Sequence, residues 1–210
     1  MGRPPAAQQG ESRKRLLDAA LALFAAHGMG GTSLQMIADH LGVTKAAVYH
    51  QFNSKAEIVV AAAAPALGQI EQAVSAAEAA PDARDGFEAM LDGLVELVLD
   101  HRAFAASLQR DGEIGRLLEE HARFLSLKSR MDRLLIGENP APDARVALAT
   151  AGGGLMVAGI DRALADIDRE TLRRVLRASA RATLEPYAPA ATTGATGPGD
   201  GRPAALPRSQ

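Results

Sequence analysis

The spacing of three residues, Ala38, Gly42 and Val48, limits what this chain can fold into more than any other feature. A small residue sits in a short amphipathic stretch, a glycine follows four positions on, and an aliphatic residue six beyond that. Two helices joined by a tight turn need this arrangement. They cross closely where a side chain is small, and the turn needs a residue that takes positive φ without strain. Ile37, Leu41, Val43, Val48 and Phe52 then supply the core between the helices of a helix-turn-helix. With Val48 and Phe52 facing inward, Lys45, Ala46, Tyr49 and His50 form one outer strip that fits a major groove. A glycine turn between short helices also occurs in ordinary helical bundles, so the spacing alone leaves that reading open.

The flanking residues extend the pattern. Leu16, Ala20, Leu23 and Phe24 recur at helical intervals and predict an amphipathic helix over 11–27, stopped by Gly28. Met29-Gly30-Gly31 is expected to be flexible, and Thr32-Ser33-Leu34-Gln35 fits a capping box that opens a helix ending near Leu41. Thr44 is the expected N-cap of a third helix through Phe52. Ser54-Lys55-Ala56-Glu57 is a second capping box, opening an alanine-rich helix to Ala80 with a kink expected at Pro65. Further helices are expected at 81–99, 104–108, 113–136, 143–166 and 168–186, giving about nine in all. The last two carry small or aliphatic residues on one face and arginines on the other, and are candidates for a subunit interface. Gly152-Gly153-Gly154 lacks the ending of a nucleotide-binding loop and instead permits close helix approach.

Composition agrees with helices. There are 44 alanines against two tyrosines, five phenylalanines and no tryptophan, which starves strands of the residues they favour. The fold class is therefore all-α. No cysteine is present, which removes disulfides, thiolate metal sites and cysteine nucleophiles. No run of about eighteen uncharged apolar residues occurs, and Met1–Gln9 lack the apolar stretch of a signal peptide, so the chain reads as cytoplasmic with no membrane partner. Residues 1–60 hold six Lys/Arg against four Asp/Glu, leaving seventeen against twenty-one for the remainder. The N-terminal part is the one suited to a polyanion.

The stretch from Thr32 to Lys55, read with the basic start Arg13-Lys14-Arg15, closely resembles the TetR/AcrR family of transcription regulators. The resemblance implies an N-terminal three-helix helix-turn-helix DNA-binding domain followed by a C-terminal helical domain for ligand binding and dimerisation. It places Thr44, Lys45, Ala46, Tyr49 and His50 on DNA, Ser33 and Lys55 on phosphates, and Arg13–Arg15 near the backbone. Ser33 and Lys55 also lie at helix N-termini, which favour anions. The family often has glycine where this chain has Ala46 and histidine where it has Gln51, and both changes bear on base preference. The expected organisation is a flexible N-terminus at 1–10, the DNA-binding domain at 11–53, the effector and dimerisation domain at 54–187, and a disordered tail at 188–210. That tail is rich in Pro, Gly, Thr and Ala, with Leu206 its one large aliphatic residue.

The implied function is a ligand-responsive repressor that binds double-stranded DNA at a palindromic operator as a homodimer and is released by an unidentified small-molecule effector. Phe87, Met90, Leu94, Phe104, Leu108, Phe124, Leu127 and Met131 are core residues taken singly, and together are candidates to line an effector pocket. His101, Arg102 and His121 are candidate polar anchors in it. A constitutive regulator with a simply packed core remains an alternative, as does a helical-bundle enzyme. Against the enzyme, no histidine stands in a Glu-x-x-His or His-Glu-x-x-His pattern, and Gly-x-Ser-x-Gly is absent. No catalytic residue, cofactor or metal site is expected.

Overall fold

The computed structural model of the chain describes residues 6–189. Among those residues it contains ten α-helices and no strand. They are α1 (Ala6–Gly31), α2 (Leu34–Leu41), α3 (Lys45–Tyr49), α4 (Lys55–Glu78), α5 (Ala83–Asp100), α6 (Arg102–Arg110), α7 (Gly112–Glu119), α8 (Ala122–Ile136), α9 (Pro142–Ile160) and α10 (Arg169–Leu184). Short 3-10 turns follow at Arg162–Leu164 and Glu185–Tyr187. Of the flexible N-terminus expected at 1–10, residues 6–10 are helical and the rest lie outside the described residues, as does the expected tail beyond 189.

Two hydrophobic cores organise the chain. The first gathers Leu16, Ala20 and Phe24 of α1, Ile37 and Ala38 of α2, Val48, Phe52, and Ile58, Val59, Ala63 and Leu67 of α4. Ile114 and Leu118 of α7 and Leu127 of α8 complete it, so the helix-turn-helix rests on the second half of the chain. The second core joins Val74 and Ala77 of α4 to Phe87, Met90, Leu91 and Val95 of α5, Leu135 of α8, and the inner faces of α9 and α10. Helix α4 serves both, and its Ile70 packs against each. It is the one helix among the described residues long and apolar enough to cross a membrane, and it is partly buried core, through Ile58, Val59, Ala63, Ala66, Leu67, Val74 and Ala77.

Local chemistry sets the boundaries. Gly28, at φ 74 and ψ 161, ends the regular run of α1 where the sequence places the stop. The next three residues are not a flexible link. They form a further helical turn, because Met29 is drawn into the first core. The capping box at 32–35 shifts by one residue: Ser33 is the N-cap and accepts from the Met36 N–H, while Gln35 Nε2 donates to Asp39 Oδ1 at 2.7 Å. Thr32 is buried instead, and its hydroxyl donates to the Gly28 carbonyl at 2.8 Å. At α4, Ser54 Oγ accepts from the Glu57 N–H, and Glu57 Oε2 reaches back to the Asn53 N–H at 2.9 Å. The helix then runs unbroken across Pro65, whose ring lies on its exposed face.

The single helix expected at 113–136 is two. His121 is extended at φ −82 and ψ 117 and separates α7 from α8, so that Ile114, Leu118 and Leu127 all enter the first core. No glycine or proline marks this break, and tertiary packing overrides local propensity there. Helix α9 stops at Ile160, before the expected 166, because the Asp161 side chain accepts from the Ala163 N–H and starts a 3-10 turn.

Candidate nucleic-acid interface

Helices α2 and α3 are joined by Gly42 in the left-handed region, φ 66 and ψ 31, with its N–H returned to α2 carbonyls. Ala38 and Ile37 are fully buried at the crossing, and Val48 seals it from α3. Val43 departs from expectation. It is 44% exposed and lies outside the small core, because the left-handed turn at Gly42 carries it to the surface.

Thr44 caps α3, its hydroxyl accepting from the Ala47 N–H at 3.2 Å. Lys45, Ala46, Tyr49 and His50 are exposed together on the outer face, with Thr44 at its start. Lys45 Nζ stands 5.5 Å from the centre of the Tyr49 ring, so a cation and an aromatic face are presented as one unit. Ser33 is exposed at the start of α2. Lys55, in the first turn of α4, is half-buried, and its ammonium donates to the Met29 carbonyl. Arg13 lies over the Phe52 ring. What this surface offers is donors and cations on the rigid ends of short helices, chemistry suited to phosphates and base edges.

Comparison with known proteins places this geometry. Residues 16–62 match the family of bacterial regulatory proteins described as the tetR family. BetI of Rhizobium meliloti, an HTH-type transcriptional regulator, is 32% identical over 160 residues, covering 70% of this chain and 75% of that one. The chain belongs to the TetR family of transcriptional regulators. SrpR of Pseudomonas putida is 46% identical over 61 residues, and the match spans 29% of each chain. A further Pseudomonas putida relative, TtgW, is matched over 46% of its length. Among solved structures, a TetR-family regulator from Streptomyces coelicolor superposes with a TM-score of 0.63, covering 80% of this chain and 89% of that one at 22% identity. FadR of Bacillus halodurans gives 0.60, at 18% identity. These two likenesses concern the fold. The family is not an enzymatic one, which disposes of the bundle-enzyme alternative.

In this TetR-family chain the eight apolar effector-pocket candidates divide between the two cores. Phe87 and Met90 are fully buried in the second, with Leu94 and Met131 packed against it. Leu127 is buried in the first, with Phe104, Leu108 and Phe124 against it. His101 closes α5, its Nε2 2.8 Å from Gln69 Oε1, and His121 stands at the α7–α8 break with Nδ1 buried and unpartnered. None of these ten residues lines the apolar groove between α9 and α10 or the arginine-rich groove between α10 and α5.

Two constructions escaped sequence reading. Glu88, Asp92, Glu96 and Asp100 of α5 face Arg181, Arg177, Arg173 and Arg169 of α10 as antiparallel ladders with a four-residue step. Both steps are visible in the sequence, but nothing local says that the two helices pair. Hydrogen bonds from Gln69 and Arg169 hold the Asp100 carboxyl below its usual range. The second construction is a set of side-chain bonds from α6 and from Asp111, which joins it to α7, to the backbone of α1, and it leaves no trace in the α1 side chains.

Proposed function

We propose that the chain is a ligand-responsive repressor that binds a palindromic operator as a homodimer, in the cytoplasm, and is released by a small-molecule effector. The observation that carries the DNA contact is the joint exposure of Thr44, Lys45, Ala46, Tyr49 and His50 on α3 beside the exposed N-terminus of α2. Lys45, Tyr49 and His50 read base edges, Ala46 meets a thymine methyl, and Ser33 and Lys55 hold phosphates. One protomer covers too little DNA for useful specificity, and a two-fold pair places two α3 helices about one turn apart in successive grooves.

The DNA-binding unit is assigned to 11–53 and the effector and dimerisation unit to 54–187. The dimer forms on α9 and α10. Val146, Val157 and Val175 are 66%, 53% and 45% exposed on these helices, and Val175 lines an apolar groove of about 370 Å³ between them. No atom approaches the open side of Gly152, Gly153 or Gly154, which leaves room for a second copy's helices. The effector enters between the two cores, where half-buried Leu94 packs against the second and half-buried Phe104, Leu108 and Phe124 against the first, with His101 and His121 as polar anchors. Because α4 serves both cores, a displacement of its C-terminal half is carried to the helix-turn-helix.

The test is fluorescence anisotropy on a duplex that the protein selects from a random-sequence pool, measured at several salt concentrations. Wild type is expected to bind with a steep salt slope. The Lys45→Ala/Tyr49→Ala double variant is expected to lose specificity by about 100-fold, near 1–3 kcal/mol per base contact. Equal, weak binding to selected and scrambled duplexes would remove the operator reading.

A further inference from the structure

We propose that Asp111 is a positioning residue for the DNA contact of Lys55, acting through the two peptide groups of Met29. The inference rests on the DNA-binding reading above and on Lys55 as a phosphate contact within it.

Three side chains from the second half of the chain grip the backbone of α1 at one-turn intervals. Ser107 Oγ, fully buried on α6, has one proton to share between the Leu21 carbonyl of α1 at 3.3 Å and the Ala103 carbonyl of its own helix at 3.2 Å. Arg110 Nη1 donates to the Ala25 carbonyl at 3.2 Å, and the Asp111 carboxylate accepts from the Met29 N–H. In an unbroken helix the Met29 N–H and the Ala25 carbonyl would pair with each other. The chain turns at Gly28, and the two freed groups go to adjacent residues at the α6–α7 corner. Glycine is what this turn needs, because Gly28 stands at φ 74, a conformation that L side chains rarely adopt.

The next peptide group continues the chain of contacts. The Met29 carbonyl accepts from Lys55 Nζ, and the Met29 side chain is buried in the first core, so the residue cannot slide. An ammonium has three donors, and one spent on Met29 leaves two for a phosphate. Held this way, Lys55 meets DNA with its rotamer already chosen and loses less side-chain entropy on binding. Asp111 thus sets the aim of a DNA contact from the half of the chain assigned to the effector. Any movement of the α6–α7 corner is felt at Lys55 without passing along α4.

The test uses the full chain and a duplex selected by wild type from a random-sequence pool. Affinity and salt slope are measured for wild type, Lys55→Met, Asp111→Ser and the double variant. Serine at 111 keeps an N-cap oxygen for α7 but falls short of the Met29 N–H. Asp111→Ser is expected to bind about tenfold more weakly. Its salt slope is expected to fall by about 0.9, the share of one phosphate contact, which a general loss of stability would leave in place. Lys55→Met should do the same, and the double variant should be no weaker than Lys55→Met. Exchange of the Met29 amide proton should quicken in Asp111→Ser. Wild-type affinity and slope in Asp111→Ser, beside a loss in Lys55→Met, would overturn the role of Asp111 alone. Wild-type binding by Lys55→Met would overturn the phosphate contact and this inference with it, and failure of wild type to select any duplex would overturn the DNA reading itself. Should Asp111→Ser not fold, Asp111→Asn keeps one oxygen for the Glu113 N–H that it caps and turns an NH2, which cannot accept, toward the Met29 N–H. It is expected to lose about tenfold as well, and unchanged binding there overturns the proposal equally.

Discussion

The guanidinium carbon of Arg13 stands 4.3 Å from the centre of the Phe52 ring, joining the start of α1 to the residue that closes the helix-turn-helix. Phe52 is buried, with its other contacts in the first core. A cation over an aromatic face near the surface contributes about 0.5–1 kcal/mol. Arg13→Ala is therefore expected to lower the melting temperature by about 1–4 °C, as calorimetry would measure it. Arg13→Lys, which keeps the charge, should lose less. An unchanged melting temperature in Arg13→Ala would mean that the stacking does not hold the third helix.

The basic triplet at 13–15 illustrates what the sequence could and could not tell. Its nearness to the helix-turn-helix is legible, because the triplet opens a helix whose period points Leu16, Ala20 and Phe24 into the same core as Val48 and Phe52. That Arg13 lies against Phe52 is not legible, since it depends on how α1 crosses α3 and α4. The α2–α3 turn reads directly from Ala38 and Gly42, whose roles are set by local backbone geometry. The exposure of Val43 and the break at His121 do not, because tertiary packing decides both. The same holds for the α1–α6 clamp, built from backbone groups that every residue carries.

Gly159 of α9 lies against Val98 of α5 with no room for a Cβ, and Gly93 is in the same relation to Ala73 of α4. The two glycines let α5 be gripped from both sides. Alanine would gain about 1 kcal/mol of helix propensity but overpack a tight contact, which costs about 1–3 kcal/mol. Gly159→Ala is expected to be net destabilising by about 1 kcal/mol in urea unfolding. Partial recovery in Gly159→Ala/Val98→Ala would locate the clash, and a more stable single variant would contradict the close approach.

Arg177 bonds both Asp92 and Glu88 at the centre of the α5–α10 ladder. Each such surface pair contributes little, about 0–1 kcal/mol, but the ladder is continuous with Arg169, which bonds Asp100 and Glu96. The Asp100 carboxyl is held below its usual 3.8, and that of Glu78, bonded to Arg130, below its usual 4.5. A carboxylate lowered in the folded state favours folding fully above the unfolded value, and the gain is lost as pH falls through the folded value. Thermal stability is therefore expected to be flat from about pH 8 to 5 and to fall below about pH 4.5. Arg177→Gln should lose about 0.5–1 kcal/mol at pH 7 and low salt, and much less at 1 M salt. A loss independent of salt would assign Arg177 a packing role rather than an ionic one.

Gly154 and Val175 decide whether the α9–α10 face is covered. Nothing approaches the open side of Gly154, and Val175 lines the groove beside it while 45% exposed. On a free surface, Gly154→Ala would raise stability by up to about 1 kcal/mol through helix propensity, and Val175→Arg would be nearly neutral. On a face closed by a second copy, the added methyl would hold the helices apart and the arginine would bury an unpaired charge. Sedimentation at micromolar concentrations is expected to give a dimer for wild type, a weakened dimer for Gly154→Ala and a monomer for Val175→Arg. The monomer should retain its helical circular dichroism, because the two cores lie within one chain. A dimer unaffected by both substitutions would move the two-fold axis off α9 and α10, and with it the spacing at which two α3 helices could meet DNA.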